Sequence, residues 1–258
     1  MFFDTHAHIN FKEFKDDGDK IVKKTLESGV CFINVGAEYK TSKRAIEYAS
    51  RYTEGVFAAV GLHPSHIWIE EFFIEKYREL ALNKKVVAIG EIGLDYYRID
   101  KNQEKTKEKQ KEIFKKQIEL ALELDKPIII HCRDAHDDVL EILNSYFKIH
   151  KSKLRGIAHS FLGNYKQARK YRQMGFKIAF NGIITFARDY DKVILDTPIE
   201  DIVLETDCPY LTPVPYRGKR NEPLYVIEVA KKIAELKNLS LEKVAKETTK
   251  NAKKIFNL

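Results

Sequence analysis

The feature that most constrains the fold is an alternation, kept up along the whole chain, of short β-branched apolar runs with longer segments of helical periodicity. Candidate strands are Phe2–Ile9, Val30–Gly36, Val56–Leu62, Val86–Ile92, Pro127–Cys132, Arg155–Ser160, Phe176–Asn181 and Asp201–Asp207. Ile128-Ile129-Ile130 and Ile202-Val203-Leu204 are apolar without alternation, as strands are when a parallel sheet is covered on both faces. Between strands, spacings such as Phe114, Ile118, Ala121 and Leu122 place apolar residues on one side of a helix. The charged run Lys101–Lys116 reads as the solvated start of that helix. Eight strands with intervening helices predict a closed (β/α)8 TIM barrel of the α/β class rather than an open sheet. The seventh unit is the weakest, because Arg188–Leu195 is short for a crossover helix. Two terminal helices are expected over Pro223–Leu236 and Leu241–Phe256.

A length of 258 residues suits one such barrel, since these folds typically run to about 250 residues, and no Pro/Gly/Ser-rich linker divides residues 1–258. Met1-Phe2-Phe3-Asp4 enters the first strand without the basic and apolar regions of a signal peptide. No apolar run approaches the roughly 18 residues a membrane span needs. Cys31, Cys132 and Cys208 form an odd, widely spaced set, which argues against a disulfide framework. The expectation is a cytoplasmic protein with no membrane association and no obligate protein partner. A net charge of +7 mildly favours a polyanionic partner.

Chemistry in such a barrel sits at the C-terminal ends of the strands. His6 and His8 end the first candidate strand, His63 follows the third, Glu91 ends the fourth, His131 the fifth, His159 the sixth and Asp207 the eighth. Five of the chain's eight histidines and two carboxylates are thus expected on one rim. His6 and His8 are two apart on a strand, so both side chains point the same way. Asp4, if it points inward too, would lie one layer deeper and orient a histidine. Four imidazoles and two carboxylates exceed the needs of one tetrahedral ion, which suggests two metals sharing a ligand. A carboxylate can bridge through two oxygens where a neutral imidazole offers one nitrogen. The bridge is therefore Glu91 or Asp207, with Glu91, between the two histidine groups, preferred.

The sequence resembles the TatD-type deoxyribonucleases of the amidohydrolase-like superfamily over essentially its whole length. The resemblance rests on Asp4-Thr-His-Ala-His8, Gly61-Leu-His-Pro64, Ala88-Ile-Gly-Glu-Ile-Gly-Leu-Asp95, Pro127-Ile-Ile-Ile-His-Cys-Arg-Asp134, Ala158-His-Ser-Phe161, Leu204-Glu-Thr-Asp-Cys-Pro-Tyr-Leu-Thr-Pro213 and Arg217-Gly-Lys-Arg-Asn-Glu-Pro223. It implies that His6 and His8 bind one ion and His131 and His159 the other, that Glu91 bridges, and that Asp207 stands by the first ion and the attacking water. The cofactors expected are two divalent ions, Zn²⁺, Mn²⁺ or Mg²⁺, with imidazole-rich ligation favouring the softer metals over Mg²⁺. The activity implied is DNA hydrolysis, a 3′-exonuclease being one form of it. An ester or amide hydrolase acting on D-aminoacyl-tRNA is the alternative, since the same activated water can attack a carbonyl.

The remaining polar residues are read by type. Asp207 is a candidate general base as well as a ligand, and His63 a contact to phosphate or leaving group. Arg217, Lys219 and Arg220 crowd one loop, and the arginine fork matches phosphate, so Arg217, Arg220 and the adjacent Asn221 are expected to hold the DNA backbone. Arg133 is expected to meet the bound phosphate or a neighbouring carboxylate. Glu205, on the same face as Asp207, is expected to tune a ligand or bind substrate. Phe161 and Tyr210 flank the rim as packing residues, with base stacking the other reading. His66, His136 and His150 read as ordinary surface or loop histidines.

Overall fold

Each apolar run forms a parallel strand, and the sheet closes on itself. A computed structural model describes residues 1–97, 99 and 103–258. The strands are β1 (Phe2–Ala7), β2 (Val30–Val35), β3 (Val56–Val60), β4 (Val86–Asp95), β5 (Ile128–Arg133), β6 (Gly156–Ala158), β7 (Lys177–Phe180) and β8 (Ile202–Leu204). They pair in chain order and β8 returns to β1, which makes a closed eight-stranded barrel. The helices are α1 (Gly18–Glu27), α2 (Tyr39–Ser50), α3 (Ile74–Ala81), α4 (Gln103–Glu123), α5 (His136–His150), α6 (Tyr165–Gln173), α7 (Asp191–Asp196), α8 (Val226–Lys237) and α9 (Leu241–Phe256). α7 is as short as the sequence indicates, at six residues. Lys101 and Asn102, the first residues of the charged run, lie outside the described residues.

Alternation within the strands sorts the core into two bodies. Phe3, Ile33, Val35, Ala59, Ala88, Ile129, Ile157, Ala179 and Val203 point into the barrel, and Ala252, Ile255 and Phe256 of α9 join them. The terminal helix thereby packs on that interior set and completes its burial. The complementary residues of the strands pack outward against the ring of helices. Among the described residues no helix is long and apolar enough to cross a membrane.

Every C-terminal strand end differs from the sequence reading by one to three residues, β1 stopping at Ala7 before His8, and three of these ends shape the site. β4 continues past Ile92 to Asp95, pairing Gly93 with His131 and Asp95 with Arg133. Gly93 has φ +146°, and a Cβ there would overlap the His131 carbonyl oxygen, so glycine is what lets the strand continue in register. β6 stops at Ala158 and β8 at Leu204, leaving His159 and Asp207 in the segments beyond; Asp207 is left-handed, with φ 56°. Two buried glutamines of α4 hold the neighbouring strand ends in place. Gln117 accepts from Leu62 N (2.8 Å) and donates to Leu62 O (3.0 Å), next to His63. Gln110 accepts from Asp95 N (2.9 Å) and donates to Asp95 O (2.9 Å) and Pro64 O (3.3 Å).

Candidate metal centre

The strand ends bring His6, His8, Glu91, His131, His159 and Asp207 into one cluster, with His63 at its edge. Nε2 of His6 and Nε2 of His8 lie 3.0 Å apart, and the His6 ring stacks on His159 with centroids 3.5 Å apart. Glu91 stands between two groups. Its Oε2 is 3.4 Å from His6 Nε2 and 3.9 Å from His8 Nε2, while its Oε1 is 2.7 Å from His131 Nδ1 and 3.5 Å from both His63 Nε2 and His159 Nε2. Asp207 Oδ1 lies 3.5 Å from His8 Nε2 and 3.9 Å from Nε2 of His6 and of His159. Sets with ligand atoms within 4.8 Å of one another are His6–His8–Asp207, His63–Glu91–His131 and His6–His159–Glu205.

Hydrogen bonds at the far side of each ring decide which nitrogen is free. His8 Nδ1 donates to the Val35 carbonyl (2.8 Å), and a carbonyl can only accept, so in the neutral ring Nε2 carries the lone pair. Glu205 fixes His159 in the same sense, taking its Nδ1 proton at 2.8 Å. Asp95 Oδ2, 3.2 Å from His131 Nε2, leaves Nδ1 of that ring turned to Glu91. His63 is the reverse case: its Nδ1 accepts from Ser65 N (3.1 Å), which can only donate, so the neutral ring carries its proton on Nε2. That nitrogen faces Glu91 as a donor, which withdraws His63 from the ligand set that proximity alone would give it.

Charge in the cluster is balanced to accept a cation. Burial, with the neighbouring His159, lowers His6 to about 3, and burial with His131 lowers His63 to about 4, so both are neutral. Burial works against protonating His131 and His159, but the Asp95 and Glu91 carboxylates lift His131 to about 9, and Glu205 and Glu91 lift His159 to about 10. Burial would raise Glu91, yet the surrounding histidines hold it well below the usual carboxylate range; Asp207 is lowered too, the neighbouring His8, His159 and His6 outweighing burial. Glu91 and the partly exposed Asp207 thus sit against protonated imidazoles, and the lone pair of His8, with that of His159 once its Nε2 proton is displaced, converges with their oxygens. Nδ1 of His6 is buried without a hydrogen-bond partner. This donor set fits divalent cations that displace the imidazole protons.

Several expectations are corrected. Arg220 does not overhang the cluster: its guanidinium grips the Asp17 carboxylate at 3.0 and 2.6 Å and lies over the Phe14 ring, clamping the start of α1. Asn221 is fully buried and donates to Thr206 O (2.9 Å) and Tyr210 O (2.5 Å), so it pins the loop that carries Asp207 and cannot reach substrate. Glu205 is also fully buried, its oxygens taken by His159 Nδ1 and Ser160 N (2.7 Å); of its two expected roles, orienting a histidine is the one the geometry permits. Asp4 bonds the backbone of His6 and Thr206 and the Thr206 hydroxyl rather than an imidazole, tying β1 to the segment before Asp207. His136 is half-buried against Cys132 Sγ (3.2 Å) and Tyr171 OH (3.3 Å) rather than solvated.

Arg217 is exposed, stacked over Phe186 at 4.0 Å, with one bond to Thr212 O. Arg133 lies over the Tyr97 ring at 3.7 Å and, among the described residues, forms no ion pair. It lines a cavity of about 550 Å³ with Tyr96, His136, Leu162 and Tyr190. Phe161 is buried as packing, whereas Tyr210 is exposed. Asp95 is the polar residue the sequence reading passed over. Its position four residues after Glu91, on the same face of a continuing strand, was the available signal.

A closed parallel barrel with imidazoles and carboxylates converging at its C-terminal rim is the architecture of a metal-dependent hydrolase. The chain belongs to the TatD-related DNase family, whose model matches residues 3–257. It is 42% identical over 262 residues to the uncharacterized metal-dependent hydrolase YabD of Bacillus subtilis, covering all of both chains. It is 34% identical over 260 residues to YcfH of Escherichia coli, of the same description, covering 99% of this chain and 95% of that one. Among solved structures, the TatD homologue YjjV of Escherichia coli superposes with a TM-score of 0.89 at 29% identity, covering 100% of this chain and 98% of that one.

Proposed function

We propose that the protein hydrolyses phosphodiester bonds of DNA, with two divalent ions held by His6, His8, Glu91, His131, His159 and Asp207. The observation that carries the two-ion reading is Glu91, whose oxygens face different histidine groups, Oε2 toward His6 and His8 and Oε1 toward His131 and His159. Divalent ions bound there would supply an activated water at neutral pH and offset charge on the phosphoryl oxygens. Asp207, ionised and 16% exposed, is the carboxylate placed to take the water's proton. His63 remains neutral and offers its Nε2 proton to a phosphoryl or leaving-group oxygen. Glu205 and Asp95 hold the rings of His159 and His131, and the exposed guanidinium of Arg217 meets the backbone phosphates. The family's description as DNases supports the phosphodiester reading over the carbonyl one.

The test is degradation of end-labelled single- and double-stranded DNA, with D-aminoacyl-tRNA in parallel, across Zn²⁺, Mn²⁺ and Mg²⁺. DNA shortening that is lost in Asp207→Asn is the expected result. Deacylation of the tRNA with DNA left intact would replace this reading by the ester-hydrolase one.

A further inference from the structure

α4 presents more than a solvated face. Its buried stripe, Thr106, Gln110, Ile113 and Gln117, faces the barrel, and lysines flank it: Lys105 and Lys109 on one edge, Lys107 and Lys111 on the other. Each edge meets an aromatic ring. Lys109 Nζ is 3.8 Å and Lys105 Nζ 5.8 Å from the Trp68 centroid, and the indole N–H donates to Thr106 Oγ1 (3.3 Å), which fixes the ring on the helix. On the other edge Lys107 lies 5.0 Å over Tyr96, and the next residue, Tyr97, carries Arg133. Trp68 is 53% and Tyr97 61% exposed. Among the described residues Lys105, Lys107, Lys109 and Arg133 form no ion pair, unlike Lys111, which bridges Asp138. The same stretch of helix reaches the metal centre, since Gln110 bonds Pro64 and Asp95 beside His63 and His131.

We infer that Trp68 with Lys105 and Lys109, and Tyr97 with Lys107 and Arg133, form a two-sided subsite that holds a single-stranded nucleic acid leading to the metal centre. This rests on the phosphodiester reading above and adds to it where the strand runs. Exposed rings beside cations that form no ion pair among the described residues suit a strand whose bases stack and whose phosphates are neutralised. A duplex keeps its base faces inside and cannot offer them to Trp68. A protein partner covering Trp68 would have to desolvate the Lys105 and Lys109 ammonium groups standing over its ring.

Trp68 is the chain's one tryptophan, so intrinsic fluorescence reports this subsite directly. Metal-loaded protein is titrated with phosphorothioate-linked, cleavage-resistant thymidine oligonucleotides, and binding is followed independently by anisotropy of a labelled strand. Twelve nucleotides are expected to quench Trp68 and shield it from acrylamide, and a duplex of equal length to do so far less. Trp68→Ala is expected to weaken the twelve-mer about five- to 150-fold. Lys109→Ala is expected to flatten the dependence of log K on log salt by about 0.7 units, one phosphate contact on a single strand. Strand binding with unchanged Trp68 emission would overturn the subsite and leave the phosphodiester reading standing. Absence of strand binding altogether would overturn both. A Trp68 emission shift with protein concentration alone would make the patch an interface between copies and overturn the subsite.

Discussion

Replacing Glu205 by glutamine is expected to weaken metal binding and leave substrate affinity alone. Glu205 is fully buried; Oε2 takes the His159 Nδ1 proton at 2.8 Å, and Oε1 accepts from Ser160 N at 2.7 Å and Asn181 Nδ2 at 3.3 Å. Glutamine keeps the volume, but it loses the charge and turns an N–H₂ toward one of these donors. Partners that orient metal-binding histidines are worth about 10- to 100-fold in affinity, which is roughly 1.4–2.8 kcal/mol. Protons give a second reading. His159 and His131 are lifted from 6.5 to about 10 and about 9, so near neutral pH both are protonated in the metal-free protein and must lose a proton to become ligands. Metal affinity should therefore climb with pH up to these values and fall as the medium is acidified. Calorimetry in buffers of different ionisation enthalpy should show about two protons released per loaded parent chain. The count should approach one in Glu205→Gln, because the carboxylate that most raises His159 is gone. Unchanged metal affinity with a raised KM for DNA would refute the argument and return Glu205 to substrate binding.

Arg217→Ala is expected to raise KM for DNA of any sequence and to flatten the salt dependence by roughly one unit, with metal content unchanged; equal loss on a small phosphodiester would place Arg217 among the groups that act on the scissile bond. Arg220→Ala should leave KM unchanged and lower stability by about 1 kcal/mol or less, since its pair with Asp17 is partly exposed and screened, as denaturant titration would show. Asn221→Ala strips the buried Thr206 carbonyl and the part-buried Tyr210 carbonyl of their donor and should cost about 1–3 kcal/mol in the same titration, with turnover falling as the Asp207 loop loosens.

The barrel was legible because its strands are short apolar runs that need no distant partner to be recognised. The rim was legible because imidazoles recur where such strands end. What the sequence could not supply was the far end of each polar contact. Arg220 looks like a phosphate fork until Asp17, some two hundred positions away, takes both its arms. Asn221 looks like a loop amide until the carbonyls of Thr206 and Tyr210 close on it. His63 and His131 are the same residue type at similar strand ends; only the Ser65 amide and the Asp95 carboxylate separate a proton donor from a candidate ligand. Trp68 carried no periodic or motif signal, and its meaning comes from the lysines that α4 lays over it.

If Glu91 joins the two proposed ions, both depend on one carboxylate, and metal content reads that dependence out. Purified parent protein and Glu91→Gln, dialysed against the same limiting metal, would be measured by elemental analysis per mole of chain. About two ions are expected in the parent and the loss of both together in the variant, whereas His6→Ala should lose chiefly one. One ion per parent chain, or two retained in Glu91→Gln, would contradict the bridging role of Glu91.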